Sequence, residues 1–190
     1  MRIAVIGTGN IGGALGTKWR AAGHDVTFGG RAASADGPGG APVVAVPDAL
    51  ADADVVLLAV PGKAAADLVN SNAYALAGKI IIDATNNIGA PAVNCLAAVA
   101  ASAPDAHYAR AFNTLGFENF VSPPAGACLF FAADPGARSA VEELITATGL
   151  EPAYVGDSNA AGIVDGALPL WFSLVQQSGG NRKLAFRVLR

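Results

Sequence analysis

Charge is scarce in this chain: only 14% of its 190 residues are charged, and the formal net charge is −3. The 12 Lys and Arg are spread without a cluster, which excludes the basic face that nucleic-acid binding requires. Cysteine is scarcer still. Cys95 and Cys128 stand alone, with no CxxC and no metal-ligand spacing, so neither a disulfide scaffold nor a zinc site is expected. Both read as small buried hydrophobes in a reducing cytosol. A long apolar run is missing as well. The longest uncharged stretch, Ala84–Pro104, is interrupted by Asn86, Gly89, Pro91 and Asn94. A bilayer core needs about 20 predominantly apolar residues, and this stretch does not qualify. The N-terminus shows no basic region followed by an apolar run and a cleavage site, so a cytoplasmic protein without a leader or membrane partner is expected.

What the chain has is glycine and aliphatic bulk. Hydrophobic residues make up 53% of it, with 23 Gly, and the mean hydropathy is +0.43. A domain of this size buries about 70% of its unfolded surface, enough for a substantial core.

Apolar runs of strand length alternate with segments of helical length. Strands are expected at Arg2–Gly7, Asp25–Gly30, Val43–Val46, Asp54–Val60, "KIIIDAT", His107–Phe112, Ala127–Ala133 and "EPAYVG". Helices are expected at Asn10–Ala22, from Pro61 to about Leu76, at Ala92–Ala101, and from Pro135 to about Thr148, with one or two turns at Asp48–Ala53. Pro61 and Pro135 favour the first helical turn. "RAASADGPGGAP" reads as loop. The alternation predicts an α/β fold, a doubly wound parallel Rossmann sheet of about eight strands over residues 1–156. Residues 157–190 are expected to form a short helical segment packed on it, interrupted at Pro169 and "SGGN".

The first turn reads Gly7-Thr8-Gly9-Asn10-Ile11-Gly12. A lone GxGxxG is weak, but here a strand precedes it, a helix follows, and a βαβ unit of about 30 residues encloses it. Gly7 permits the tight turn, Gly9 lets backbone N–H groups approach a pyrophosphate, and Gly12 lets helix and strand pack closely. The anion would sit at the helix N-terminus. At the end of the second strand, Phe28-Gly29-Gly30-Arg31 offers no carboxylate for a ribose diol. A guanidinium suits a 2′-phosphate, so NADP(H) is the expected dinucleotide.

The remaining crevice residues should lie at the carboxyl ends of the next strands: Ala59-Val60-Pro61, Asp83-Ala84-Thr85-Asn86 and Ala111-Phe112-Asn113-Thr114. This small, neutral lining suits a flat nicotinamide, with Thr85, Asn86, Asn113 or the backbone to bond its carboxamide. Acids and bases are few. His24 and His107 precede their strands, at the far end of the sheet, Lys63 reads as a solvated helix-start residue, and Asp83 as a cap. No catalytic acid–base residue and no metal site is assigned. Hydride transfer between two bound rings depends mainly on proximity and orientation, which such a site can supply.

In order along the chain, "RIAVIGTGNIGGALGTKWRAAGHDVTFGGR", "DVVLLAVPGKAAADLV", "IIDATN", "ARAFNTLGFENF" and "LWFSLVQQSGGNRKLAFRVLR" resemble the NADPH-dependent reductases of coenzyme F420. The reductase domain of STEAP-type ferric reductases is similar in the same segments. The resemblance implies hydride transfer between NADP(H) and F420, with nicotinamide stacked on deazaflavin. It puts the phosphates on Thr8, Gly9, Asn10 and Ile11, and the 2′-phosphate on Gly30 and Arg31. It places Val60, Pro61, Ala84 and Ala111–Asn113 near the nicotinamide. It further implies a homodimer whose C-terminal segment helps enclose the acceptor. Two family donors to the 2′-phosphate, a Ser and a Lys, are replaced here by Gly30 and the Ala35-Asp36 region. For the anionic tail of F420 the sequence offers Arg110, Arg182, Lys183 and Arg187. Leu168, Leu170, Trp171, Leu174 and Val175 follow helical spacing and read as core or dimer interface. Two other functions fit the same residues: reduction of another acceptor such as a flavin, ferric chelate or imine, and a noncatalytic NADP(H) sensor.

Overall fold

The computed structural model describes residues 1–189. The last residue of the 157–190 segment, Arg190, lies outside the described residues. Eight strands form one sheet: β1 (Arg2–Ile6), β2 (Asp25–Gly30), β3 (Val43–Ala45), β4 (Val55–Leu58), β5 (Ile80–Asp83), β6 (His107–Arg110), β7 (Cys128–Ala133) and β8 (Glu151–Gly156). Their order is β3-β2-β1-β4-β5-β6-β7-β8. The chain starts in the middle and winds outward twice, so a switch point lies between β1 and β4, where ligands of such sheets bind.

The helices are α1 (Asn10–Ala21), α2 (Val46–Ala51), α3 (Gly62–Ser71), α4 (Ala73–Leu76), α5 (Leu96–Ser102), α6 (Glu118–Val121), α7 (Pro135–Ala147) and α8 (Ala161–Gln177). They cover both faces of the sheet. β4 is buried at every residue, as its unbroken apolar run requires of a strand covered on both sides. One core layer joins Val5, Leu15, Trp19, Phe28 and Leu57 to Phe112, Phe131 and Leu144. The opposite layer joins Ile6, Leu50, Leu58, Val69, Ile81 and Val99. Trp19 fastens α1 to α7 by donating its indole N–H to the Leu144 carbonyl at 2.9 Å.

Four expectations change. First, β7 pairs with β6 antiparallel, and β8 is parallel to β7. The connection from β6 to β7 stays at the end of the sheet where β6 finishes, so β7 must start there and run back. Second, α8 continues through Pro169 as one helix. Proline removes the bond to the carbonyl four residues back, here that of Asp165, without ending the helix. Third, the segment expected as one helix from Pro61 to Leu76 divides at Asn72, whose side chain donates to the Leu68 carbonyl at 2.8 Å. Fourth, the helix expected at Ala92–Ala101 starts at Leu96, because Asn94 and Cys95 are engaged elsewhere, as described below.

After α8 the chain turns back. Trp171 donates to the Leu184 carbonyl at 2.8 Å, and Asn119 donates to the carbonyls of Arg182 and Leu184 at 2.9 and 3.4 Å. Phe186 forms a bridge to Cys128, its carbonyl accepting from the Cys128 N–H at 2.8 Å. Among the described residues, no helix is long and apolar enough to cross a membrane.

Candidate active site

The strands that bound the switch point end flush. In register, Ile6 faces Leu58, Leu58 faces Asp83 and Asp83 faces Arg110. One residue further, the ladder continues through Ala59 N–H to Ile6 O at 2.9 Å, Ala84 N–H to Leu58 O at 3.1 Å, and Ala111 N–H to Asp83 O at 3.3 Å. Gly7, Ala59, Ala84 and Ala111 therefore form a row of small residues across the carboxyl end of the sheet. Gly7 and Ala59 are half-buried, whereas Ala84 and Ala111 are buried, so a flat ring would meet the Gly7–Ala59 end of the row and the backbone beyond it.

The Gly-rich turn opens onto this row. Gly7 adopts φ +116°, a left-handed conformation costly for other residues. Its N–H donates to Gly29 O at 3.0 Å, which ties the turn to the end of β2. Gly12 packs so closely on the Gly7 carbonyl that a Cβ there would overlap it, and would also meet Val5 Cγ1 at 3.1 Å. At Gly9, by contrast, a Cβ would meet nothing within 4 Å. Gly9 is the extended N-cap of α1, and Thr8, Gly9 and Asn10 are exposed. The free N–H groups of this 12-residue helix and its dipole thus face open space suited to an anion.

Arg31 is exposed immediately after β2. A Cβ at Gly30 would come within 3.9 Å of the Thr8 methyl, so the turn and the end of β2 form one continuous rim. The same Cβ would press on Val43 Cγ1 at 2.8 Å. The serine found here in the family sequences that this chain resembles would therefore crowd β3. The segment after Arg31 is less irregular than expected. Ser34 and Val43 exchange backbone bonds at 2.9 and 2.8 Å, and Pro38–Gly40 forms a 3-10 turn beside α1.

On the other rim, α3 begins against the residues after β5. A Cβ at Gly62 would overlap the backbone of Asn86 and Asn87, so only glycine permits this approach. Pro61 is the residue just before α3, not its first turn. Lys63 is exposed. Both histidines sit at the opposite end of the sheet, as their positions implied. His24 lies 3.4 Å from the N-terminal amine and 3.8 Å from Glu143. Burial and the neighbouring amine push its pKa below the ordinary value.

Beneath the row lies a buried charge network. Arg110 and Asp83 are fully buried, with Nη1 of Arg110 3.2 Å from Asp83 Oδ1. Arg110 also donates to the carbonyls of Asp83 and Thr85 at 3.0 and 2.6 Å, and to Asn86 Oδ1 at 3.0 Å. Its Nε and Nη2 both reach Asp165 Oδ1 of α8 at 2.7 Å. Asp83 accepts from the Thr85 N–H and hydroxyl at 2.9 and 2.7 Å, the Cys95 N–H at 2.7 Å and the Tyr108 hydroxyl at 2.8 Å. Burial first, and the Asp83 charge second, push the Tyr108 hydroxyl and the Cys95 thiol well above their usual pKa ranges.

Every lone pair of Asp83 is therefore engaged within the protein, which fits the capping role and leaves nothing for acid–base work. Arg110, named as a candidate for the anionic tail of F420, is withdrawn from that role by its burial. Arg182 is exposed, 2.9 Å from Glu118 and stacked over Trp171. Lys183 and Arg187 are exposed.

Phe112 holds φ +63°, the one left-handed residue other than glycine among the described residues. Its ring is buried edge-on between Trp19 and Phe120, with centroids 5.6 Å from each. The side chain thus belongs to the core, and the backbone of Ala111–Asn113 is what the crevice receives. Such strain persists only where the surroundings impose it, and it concentrates at functional sites. Among the described residues, no group of His, Cys, Asp or Glu is arranged to hold a metal ion.

Residues 2–87 match the family described as coenzyme F420-dependent NADP oxidoreductase. The whole chain is 26% identical, at full coverage of both chains and a TM-score of 0.85, to a protein from Arthrobacter sp. FB24 provisionally described as an F420-dependent NADP reductase. A hypothetical protein from Sinorhizobium meliloti is 28% identical, with a TM-score of 0.73, over 100% of this chain and 96% of that one. The fold also recurs in a reductive aminase from Aspergillus terreus in complex with NADPH. That protein is 21% identical, TM-score 0.71, and this chain covers only 62% of its length. The chain is thus similar, over its nucleotide-binding part, to the coenzyme F420-dependent NADP oxidoreductases.

Proposed function

We propose that the protein moves a hydride between NADP(H) and coenzyme F420, the two rings stacked over the row Gly7–Ala59–Ala84–Ala111. In this reading the pyrophosphate lies on Thr8, Gly9, Asn10, Ile11 and the glycines at 7 and 12. The 2′-phosphate meets Arg31 beside Gly30. The nicotinamide occupies the space bounded by Ala59, Val60, Pro61, Ala84, Thr85, Asn86 and the 111–113 turn. A row of small residues at the carboxyl end of the sheet, with the Asp83 carboxylate fully engaged within the protein, carries the reading. A reaction that needs only two rings held in contact can run there, because geometry supplies the rate acceleration.

With both groups bound, NADPH would give a hydride from C4 of its nicotinamide to the acceptor ring, which would also take a proton from solvent, so that the cofactor is oxidised as the acceptor is reduced. The protein holds the two rings face to face and keeps water out; no side chain of the floor changes protonation. An exposed apolar stripe on α8, with Ile163, Leu170 and Leu174, supports a homodimeric assembly.

The test is direct: mix the protein with NADPH and oxidised F420, follow both absorbances, and repeat with FMN and ferric chelates. Turnover with F420 alone supports the proposal. Turnover with another acceptor instead, or NADPH binding without turnover of any, overturns it in favour of a different reductase or a sensor.

A further inference from the structure

A nicotinamide carries a carboxamide, and its NH₂ needs an acceptor. Three side chains near the crevice were candidates on sequence grounds, and hydrogen-bond inventory separates them. The Thr85 hydroxyl already has a partner, donating to Asp83 at 2.7 Å, so it requires no ligand even though its lone pairs can still accept. Asn86 is occupied at both ends: its Nδ2 donates to Asn113 O at 2.8 Å and its Oδ1 accepts from Arg110 at 3.0 Å. Asn113 differs. Its Nδ2 donates to Asp165 Oδ1 at 3.1 Å, while its Oδ1 is buried with no partner in the protein.

The orientation of this amide is chemically determined. A carboxylate only accepts, so Asp165 must face the NH₂ end of Asn113 and leave the carbonyl end turned away. A buried acceptor without a donor is costly, and a donor supplied by a ligand removes the cost. Asp165 is itself fixed. Its Oδ1 accepts from Arg110 at 2.7 Å, and its Oδ2 accepts from Asn94 Nδ2 at 2.6 Å. It belongs to α8, so the helix that follows the Rossmann sheet reaches back to orient a buried side chain at the carboxyl end of the sheet.

Resting on the NADP(H) reading above, we infer that Asn113 Oδ1 accepts the nicotinamide carboxamide. On this inference Asp165, fifty-two positions away, is the positioning residue that turns Asn113 to do so. Phe112 contributes from the other side, because its left-handed backbone, with the ring locked in the core, fixes the turn carrying Asn113.

A binding cycle with two ligands tests the inference without an acceptor. NADPH, followed by its fluorescence, senses both halves of the crevice; 2′,5′-ADP senses only the adenosine half. Wild-type protein, Asp165→Ala, Asn113→Ala and the double variant are titrated with each. Each single variant is expected to weaken NADPH about tenfold, the equivalent of one lost hydrogen bond, and to leave 2′,5′-ADP within about twofold. The double variant should be no weaker than either single one, since both cut the same link.

Additive losses, equal weakening of both ligands, or unchanged NADPH affinity overturn the inference. If Asp165→Ala does not fold, Asp165→Ser takes its place in the cycle, because its short hydroxyl cannot reach the Asn113 amide as the carboxylate does. Wild-type protein that binds neither ligand refutes the NADP(H) reading itself, whereas wild-type binding with the wrong variant pattern refutes only the Asp165–Asn113 relay.

Discussion

Arg110 and Asp83, neighbours in register on β6 and β5, form an ion pair at 3.2 Å with both side chains sealed from solvent. Asp165 lies against the same guanidinium at 2.7 Å. One buried cation thus serves two buried carboxylates and joins two strands to α8.

Removing that cation should be severe. Arg110→Met leaves both carboxylates uncompensated, and breaking one partner of a buried pair costs about 3–5 kcal/mol. Denaturant unfolding should show a loss of this size or no folded protein. A loss below about 1 kcal/mol would mean that the pair is dispensable.

At the nucleotide rim, Arg31→Ala should raise the apparent constant for NADPH about tenfold or more and leave that for NADH nearly unchanged, since NADH has no 2′-phosphate for a guanidinium to meet. Steady-state titration with both cofactors checks this. Equal effects would remove Arg31 from the site.

Gly12→Ala places a methyl group into the Gly7 carbonyl. Overpacking of this kind costs about 1–3 kcal/mol, and here the strain falls on the turn itself. A lowered Tm together with loss of NADPH binding is expected. Gly9→Ala, where space is open, should keep the wild-type Tm while weakening NADPH.

His24 gives the chain an acid sensitivity unrelated to the crevice. Its pKa is lowered on folding by burial and by the N-terminal amine, so the unfolded chain binds the proton more readily. Its stabilising contribution is complete above the ordinary histidine range near 6.5, and is lost as pH falls from there toward its folded value. Tm measured from pH 7.5 to 5 should decline, and His24→Gln should flatten that part of the decline. An identical slope in the variant would exclude His24 as its source.

Light scattering should find wild-type protein dimeric and Leu170→Asp/Leu174→Asp monomeric with an unchanged circular dichroism spectrum. Wild-type protein running as a monomer refutes the homodimer.

Local features were legible in the sequence, and non-local ones were not. β2 and β8 begin and end where their apolar runs do, and α1 starts at Asn10 because the glycine turn before it cannot be helical. The helical spacing at 168, 171 and 175 is core, while 170 and 174 of the same helix are exposed. Sequence could not divide those two faces, because both are apolar. The reversal of β7 depends on where a connection goes, which no window of residues records. α6 spans four residues, too few for a period. Arg110 was misjudged because its partners lie 27 and 55 positions away, and an arginine closing a strand beside a crevice otherwise suggests a ligand. Asp165 left no local signal at all: it is the single charged residue in a largely apolar helix, and its meaning depends on the fold.

The clamp of Asn119 on the returning chain has a consequence for the order of assembly. Its amide donates to carbonyls 63 and 65 positions further along, and those same carbonyl-bearing residues cover Trp171. During synthesis, the nucleotide-binding half can form long before these acceptors leave the ribosome. Until they do, the buried Asn119 amide has only the Gly116 carbonyl at 3.3 Å as acceptor, and the start of β7 has an open edge at Cys128. Residues 182–186 therefore supply the acceptors that complete the Asn119 and Trp171 bonds and close the start of β7.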